Sequence, residues 1–288
     1  MGVPSKCLLI IKKVHRETNT KTQLKLNSSY NYSLRKERNQ NPIWLPLTSI
    51  HKSKKSSSFK LKNFDLELMG SEGPKAITIH VTGFKRFLGV SENPTEKIAS
   101  NLKSYVEKRG LPSGLTLGTC TVLESAGEGG KARLYQVLES SVAAASGDNK
   151  NTNGTVVWLH LGVNSGSEKF AIERQAVNEA HFRCPDQLGW QPQRLPIVFE
   201  DGSILKAKET TCPTESIFNI LKNKGYDVVQ SDDAGRFVCN YLYYHSLRFA
   251  EQKGHKSLFL HVPLFSKIDE DTQMQFVVSL LEAIAATC

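Results

Sequence analysis

No run of 18 consecutive apolar residues occurs in the 288-residue chain, and the richest stretches, "SLFLHVPLF" and "MQFVVSLLEAIAA", are interrupted by polar side chains. A membrane-spanning helix is therefore excluded and no membrane partner is expected. The six cysteines (Cys7, Cys120, Cys184, Cys212, Cys239 and Cys288) include no C-x-x-C pair and no Cys/His cluster at zinc spacing. That absence argues against a zinc site or a disulfide framework and favours free thiols in a reducing compartment. Neither G-x-G-x-x-G nor G-x-x-x-x-G-K-[ST] is present, and "GEGGK" at 127–131 has the wrong spacing for a phosphate loop, so it is read as a plain loop. The start "MGVPSK" lacks the hydroxyl residue that myristoylation requires, and "CLLII" is too short for a secretory apolar region. No internal repeat is found.

Charge is abundant but uneven. The formal charge is +9, yet residues 1–68 hold 14 of the 37 basic and only four of the 28 acidic side chains, which leaves the remainder essentially neutral at 23 basic against 24 acidic. This leader is rich in Ser, Asn and Lys and has no sustained apolar period, so disorder is expected there, with Met69 as a second start. It admits three readings: an organelle-targeting peptide, a phosphate-binding tail, or an extension without a structural role. Lys outnumbers Arg and no interleaved aromatic platform accompanies the charge, so the last is the default and no nucleic-acid partner is expected. The expected organisation is a leader, 1–68, and a single α/β domain, 69–288, in the cytoplasm.

From Lys75 onward short β-branched runs alternate with helical patterns, and 39% hydrophobic content is ample for one core. The order predicts an open, mostly parallel twisted sheet with helices on both faces, an α/β/α sandwich. Strands are expected at "AITIHVTGF", "TLGTCTVLES", "TVVWLHLGV", "YDVVQS" and "SLFLHVPLF", and one more over "FAIERQAVN". Helices are expected at "PTEKIASNLKSYVEKRG", "KARLYQVLESSVAAA", "PTESIFNILKNKG", "RFVCNYLYYHSLRFAEQKG" and "TQMQFVVSLLEAIAA". Residues 179–212 form a long Pro- and Gly-containing excursion, of the length that often serves function.

The stretch "SDDAGRFVCNYLYYHSL" places Cys239 just inside a helix start, behind a small-residue turn. A helix from about Arg236 to Lys253 carries the chain roughly 25 Å at about 1.5 Å per residue. The strand from Lys256 to His261 returns it by about 17 Å at about 3.3 Å per residue, so Cys239 and His261 can meet at the carboxyl edge of the sheet. The expected strand, helix, strand unit is a right-handed crossover. A first-turn cysteine also feels unpaired N–H groups and the helix dipole, which favour a thiolate. From spacing alone two alternatives stand: a Cys/His catalytic pair, or an inert buried cysteine beside a core histidine.

Three segments resemble the pyroglutamyl-peptidase I family of cysteine peptidases: "TGFKRF" with "NPT" (82–95), "AIERQAVN" (171–178), and "SDDAGRFVCN" (231–240) with "HVP" (261–263). The resemblance covers about residues 76–286 and implies Cys239 as nucleophile, His261 as general base and Glu173 as the residue that orients the histidine. It further implies that Phe84 and Phe87 flank a pyrrolidone ring, that Asn93 bonds its amide, and that Arg183, in "FRCPD", lies near the site. The sequence departs from the commoner family form at Arg86 and Leu88, where Pro and Gly are usual, and at Val163, where bacterial members carry Gln. The function implied is an omega-peptidase removing N-terminal pyroglutamate from peptides through a thioacyl-enzyme, with no metal or cofactor and with homo-oligomers allowed. Against it stand a catalytically silent binding protein that keeps the pocket, and another Cys-dependent amidase on a related scaffold.

Overall fold

The computed structural model describes residues 76–87, 89–147 and 154–288. The leader, Met69, Leu88 and the polar stretch 148–153 lie outside the described residues. Alternating β-branched residues build β1 (Ile77–Phe84), which is followed by α1 (Pro94–Arg109). Pro94 begins this helix, the Asn93 side chain caps it by accepting from the Thr95 N–H, and Gly110, at φ 82°, follows its last residue. Next come β2 (Leu115–Leu123), α2 (Gly127–Gly147) and β3 (Thr155–Val163). The "FAIERQAVN" stretch, expected as one strand, divides at Arg174 into β4 (Phe170–Glu173) and β5 (Gln175–Val177), which belong to different sheets. The excursion holds β6 (Glu179–Ala180), β7 (Leu195–Pro196), a single 3-10 turn at Phe199–Asp201 and β8 (Ala207–Glu209). The chain ends through α3 (Thr214–Asn223), β9 (Val228–Ser231), α4 (Val238–Lys253), β10 (Lys256–Val262) and α5 (Glu270–Thr287).

Six strands form the central sheet in the order β2-β1-β3-β10-β4-β9. Four of them run parallel, whereas β4 is antiparallel to β10 and parallel to β9. This corrects the expected right-handed crossover, because β9 and β10 point in opposite directions. The cause is the six-residue link 164–169: it is too short to return the chain to the opposite edge, so β4 must run back. Apolar side chains of α1, α3 and α5 cover one face of the sheet. On the other face, α2 and α4 pack over Trp158 and Phe259 together with Ala176 of β5 and the excursion residues Ala180 and Phe182.

The loop expected at "GEGGK" is instead the first turn of α2. Buried Asp186 accepts a hydrogen bond from the Gly127 N–H at 2.9 Å, so a carboxylate from the excursion stands at the positive end of this helix. A methyl group on Gly127 would meet the Trp190 ring at 2.5 Å, and one on Gly129 would meet Leu188 at 2.2 Å. The glycines thus trade helix propensity for close packing. Asp186 also accepts from the Leu188 and Trp190 N–H groups. Asp186→Ala should strand these donors and cost about 3 kcal/mol in urea unfolding; a loss below about 1 kcal/mol would show that another contact holds the loop.

Candidate active site

The site is assembled on three neighbouring strands. In β10, His261 lies opposite Gly162 of β3 on one side and Ala171 of β4 on the other. Glu173 pairs with Phe259, two residues before His261, so the period-2 alternation puts Phe259, His261, Ala171 and Glu173 on one face. The histidine and the carboxylate are then diagonal cross-strand neighbours, within reach of each other. His261 Nδ1 donates to Glu173 Oε1 at 2.7 Å, and both side chains are buried. Burial disfavours the imidazolium, but the hydrogen bond and charge of Cys239, followed by those of Glu173, outweigh it and push the His261 pKa up to about 10.

Helix α4 lies over this face and brings Cys239 to it. The helix starts two residues later than its sequence pattern suggests, at Val238, so Cys239 is its second residue. Phe237, at the N-cap, offers no side-chain acceptor, and the Tyr241 N–H bonded to the Phe237 carbonyl closes the first turn. The N–H groups ahead of that bond, from Val238 to Asn240, lie at the positive end of the helix dipole. Gly162 allows the close approach: a methyl group there would lie 3.0 Å from Cys239 Sγ and 2.6 Å from the Phe259 ring. Cys239 remains partly accessible, and its sulfur lies against Gly162, the residue opposite His261, near enough to raise the proton affinity of the histidine.

Beside Cys239 opens a cavity lined by Phe84, Phe87, Asn93, Ser125, Val163, Phe237 and Val238. Phe84 and Phe87, which the resemblance placed around a ring, both line this cavity. Asn93 reaches the same cavity, but most of its side chain is committed to the protein. Its Oδ1 accepts from the Thr95 N–H at 3.0 Å and from the Thr95 hydroxyl at 2.9 Å, and its Nδ2 donates to the Lys85 carbonyl at 3.0 Å. One amide N–H is left over. Ser125 donates its hydroxyl to the same carbonyl. Arg183 is exposed and does not line the cavity. Sequence reasoning missed Ser125, Phe237 and Val238 as lining residues; the only signal for the last two is their position immediately before Cys239. Among the described residues no group of three or more His, Cys, Asp or Glu side chains is placed to hold a metal ion.

A profile of the pyroglutamyl peptidase family matches residues 77–286, nearly all of the described chain. The chain belongs to this family. Among curated members, the pyrrolidone-carboxylate peptidase of Pyrococcus furiosus is 31% identical over 185 residues, 64% of this chain and 79% of that protein. That of Vibrio vulnificus is 28% identical over 213 residues, 72% of this chain and 91% of the other. In structure the pyroglutamyl peptidase fold is matched by a mutant pyrrolidone carboxyl peptidase from P. furiosus with a TM-score of 0.61 at 26% identity, covering 72% of this chain and 97% of that one. The Thermococcus litoralis enzyme gives 0.59 at 25% identity, covering 72% and 92%.

For this pyroglutamyl peptidase the spacing at Gly162 yields a direct test. Gly162→Ala must displace either Phe259 or the Cys239 sulfur, and a shift near 1 Å at a reacting atom costs about 100-fold in rate. Turnover should fall by about that factor while the far-ultraviolet spectrum is unchanged. Wild-type kcat/KM in this variant would show that the sulfur is not packed against β3.

Proposed function

We propose that the chain is a cysteine-type omega-peptidase that removes N-terminal pyroglutamate from peptides, with Cys239, His261 and Glu173 as its catalytic group. The observation that carries this reading is the Cys239, His261, Glu173 chain at the rim of a small aromatic cavity, in a member of the pyroglutamyl peptidase family. With His261 held as imidazolium, the Cys239 thiolate attacks the pyroglutamyl carbonyl carbon. The oxyanion that develops faces the first-turn N–H groups of α4. Collapse breaks the peptide C–N bond, His261 passes its proton to the leaving amine, and a thioacyl-enzyme remains. His261 then takes a proton from water, which hydrolyses the thioester and frees Cys239. Glu173 holds the ring by Nδ1, so that Nε2 is left to serve the sulfur and the leaving group.

The cavity supports the choice of substrate. Apart from Asn93, Ser125 and Cys239 its lining is aromatic and aliphatic, and no carboxylate is among the described lining residues. A cationic N-terminus entering it would lose hydration without gaining a counter-charge, whereas the pyroglutamyl lactam is neutral. Phe84 and Phe87 enclose the ring in this reading, and the spare N–H of Asn93 is available to the lactam oxygen. Residues 69–288 form the catalytic unit, a reading supported by the family match beginning at residue 77. A chain starting at Met69 should therefore keep its kcat. Among the described residues no helix is long and apolar enough to cross a membrane.

A panel of fluorogenic amides tests the reading. Pyroglutamyl amides should be cleaved, and prolyl or glutamyl amides at about 1% of that kcat/KM or less; comparable values for prolyl amides would overturn the pocket assignment. Cys239→Ala should lose activity by at least about 1000-fold without unfolding, and substantial residual turnover would remove the nucleophile assignment. The pH profile gives a signed test. Glu173 favours the imidazolium, so Glu173→Gln should lower the His261 pKa and move the basic limb of kcat/KM to lower pH, with an unchanged limb counting against the role of Glu173.

A further inference from the structure

Glu173 is held in an unusual way for a residue that must aim a histidine. Only one oxygen of its buried carboxylate is engaged, by His261 Nδ1; among the described residues Oε2 has no hydrogen-bond partner. No second donor therefore fixes the direction of the carboxylate. The side chain sits on the last residue of β4, where the main chain breaks from the central sheet at Arg174 and continues into β5. Its aim must then come from the main chain.

Helix α4 grips that main chain at three points. The hydroxyl of fully buried Tyr243 donates to the Glu173 carbonyl at 3.0 Å. One turn earlier, Asn240, also fully buried, accepts from the Val177 N–H at 2.8 Å and donates to the Val177 carbonyl at 2.8 Å and the Glu179 carbonyl at 3.1 Å. Residues 240 and 243 share one helix face. The Asn240 amide mimics a strand partner for Val177, whose other neighbour is β8. Burial, the nearby Cys212 thiol and the Glu173 charge keep the Tyr243 phenol protonated, so its O–H remains a donor. Cys239 directly precedes Asn240 on this helix.

We infer that Asn240 and Tyr243 are positioning residues that tie the nucleophile's helix to the strand carrying Glu173, so that Cys239, Glu173 and, through it, His261 keep one alignment. This rests on the reading of those three residues given above. Among the described residues, the charged or titratable groups acting on His261 are Cys239 from α4 and Glu173 from β4; β3 presents Gly162, and α4 sets the Tyr243 hydroxyl against the Glu173 carbonyl. If the Glu173 main chain slackens, the imidazolium loses support.

The test is Tyr243→Phe, which removes one oxygen and keeps the ring, measured in the full chain alone and with Glu173→Gln. Expected are a fall in kcat of about tenfold with KM within about twofold, and a basic limb displaced to lower pH, as in Glu173→Gln. In the double variant Tyr243→Phe should add less than about twofold and no further displacement, because the group it aims is gone. Asn240→Asp keeps the acceptor for Val177 but sets a carboxylate against two carbonyls, and should lower kcat in the same pattern. A Tyr243→Phe protein that loses only thermal stability, with the wild-type limb and a full additive effect in the double variant, overturns the inference. Activity surviving in Cys239→Ala or His261→Ala would instead overturn the underlying site reading.

Discussion

The buried hydrogen bond between Glu173 and His261 is the constraint on which the surrounding structure depends. A carboxylate 2% exposed inside a sheet is expensive unless a cation faces it, and the imidazolium is that cation. Burial opposes the protonated ring, but the Cys239 sulfur and Glu173 both favour it. Strand direction makes the pair possible. The short link after β3 forces β4 to run back, and within four residues it places Glu173 diagonal to His261. Three strands with helix α4 above them thereby hold Gly162, His261, Glu173 and Cys239 together.

Close approach is the second requirement, and it explains why small residues stand at particular positions. Gly162 leaves room for both the Phe259 ring and the sulfur, whereas Trp158, His160 and Leu161 of the same strand are large and buried. The glycines opening α2 do the same for Trp190 and Leu188, which seats the excursion on the helix beside the cavity. In both places the missing side chain is a packing feature, unlike Gly254, whose φ of 68° is the left-handed termination of α4.

Much of this was legible in the sequence wherever one periodicity ran long enough. The strand at 77–84, the helix from Pro94 to its stop at Gly110 and the strand at 155–163 lie where their patterns place them. The meeting of Cys239 with His261 was read from an expected crossover together with the rise per residue; the crossover is corrected, but the rise still applies because β10 returns along α4. Strand direction itself was hidden, since alternation is identical in parallel and antiparallel strands. The two- and three-residue strands β6, β7 and β8 have no period to detect. The start of α2 was concealed because glycine reads as loop until the Asp186 carboxylate, 59 residues later, is known to cap it. Glu173 did leave a local trace: a lone carboxylate in the apolar run "FAIE" has to find a partner if the strand is buried.

Asn93 shows how one side chain can serve fold and cavity together. Its oxygen is spent on the Thr95 backbone and hydroxyl, and one of its N–H bonds on the Lys85 carbonyl, so it cannot swing to suit a ligand. The same Lys85 carbonyl also accepts from Ser125. Two of the polar groups at the cavity wall are therefore fixed before anything binds: Asn93 keeps one spare N–H donor, and the Ser125 oxygen, its proton engaged, keeps only acceptor lone pairs. A rigid donor among Phe84, Phe87, Val163, Phe237 and Val238 suits a neutral ring with a carbonyl at its edge, and it penalises any charged or bulky head group through lost hydration. Selectivity in such a cavity comes from what the wall cannot offer as much as from the few hydrogen bonds that it can.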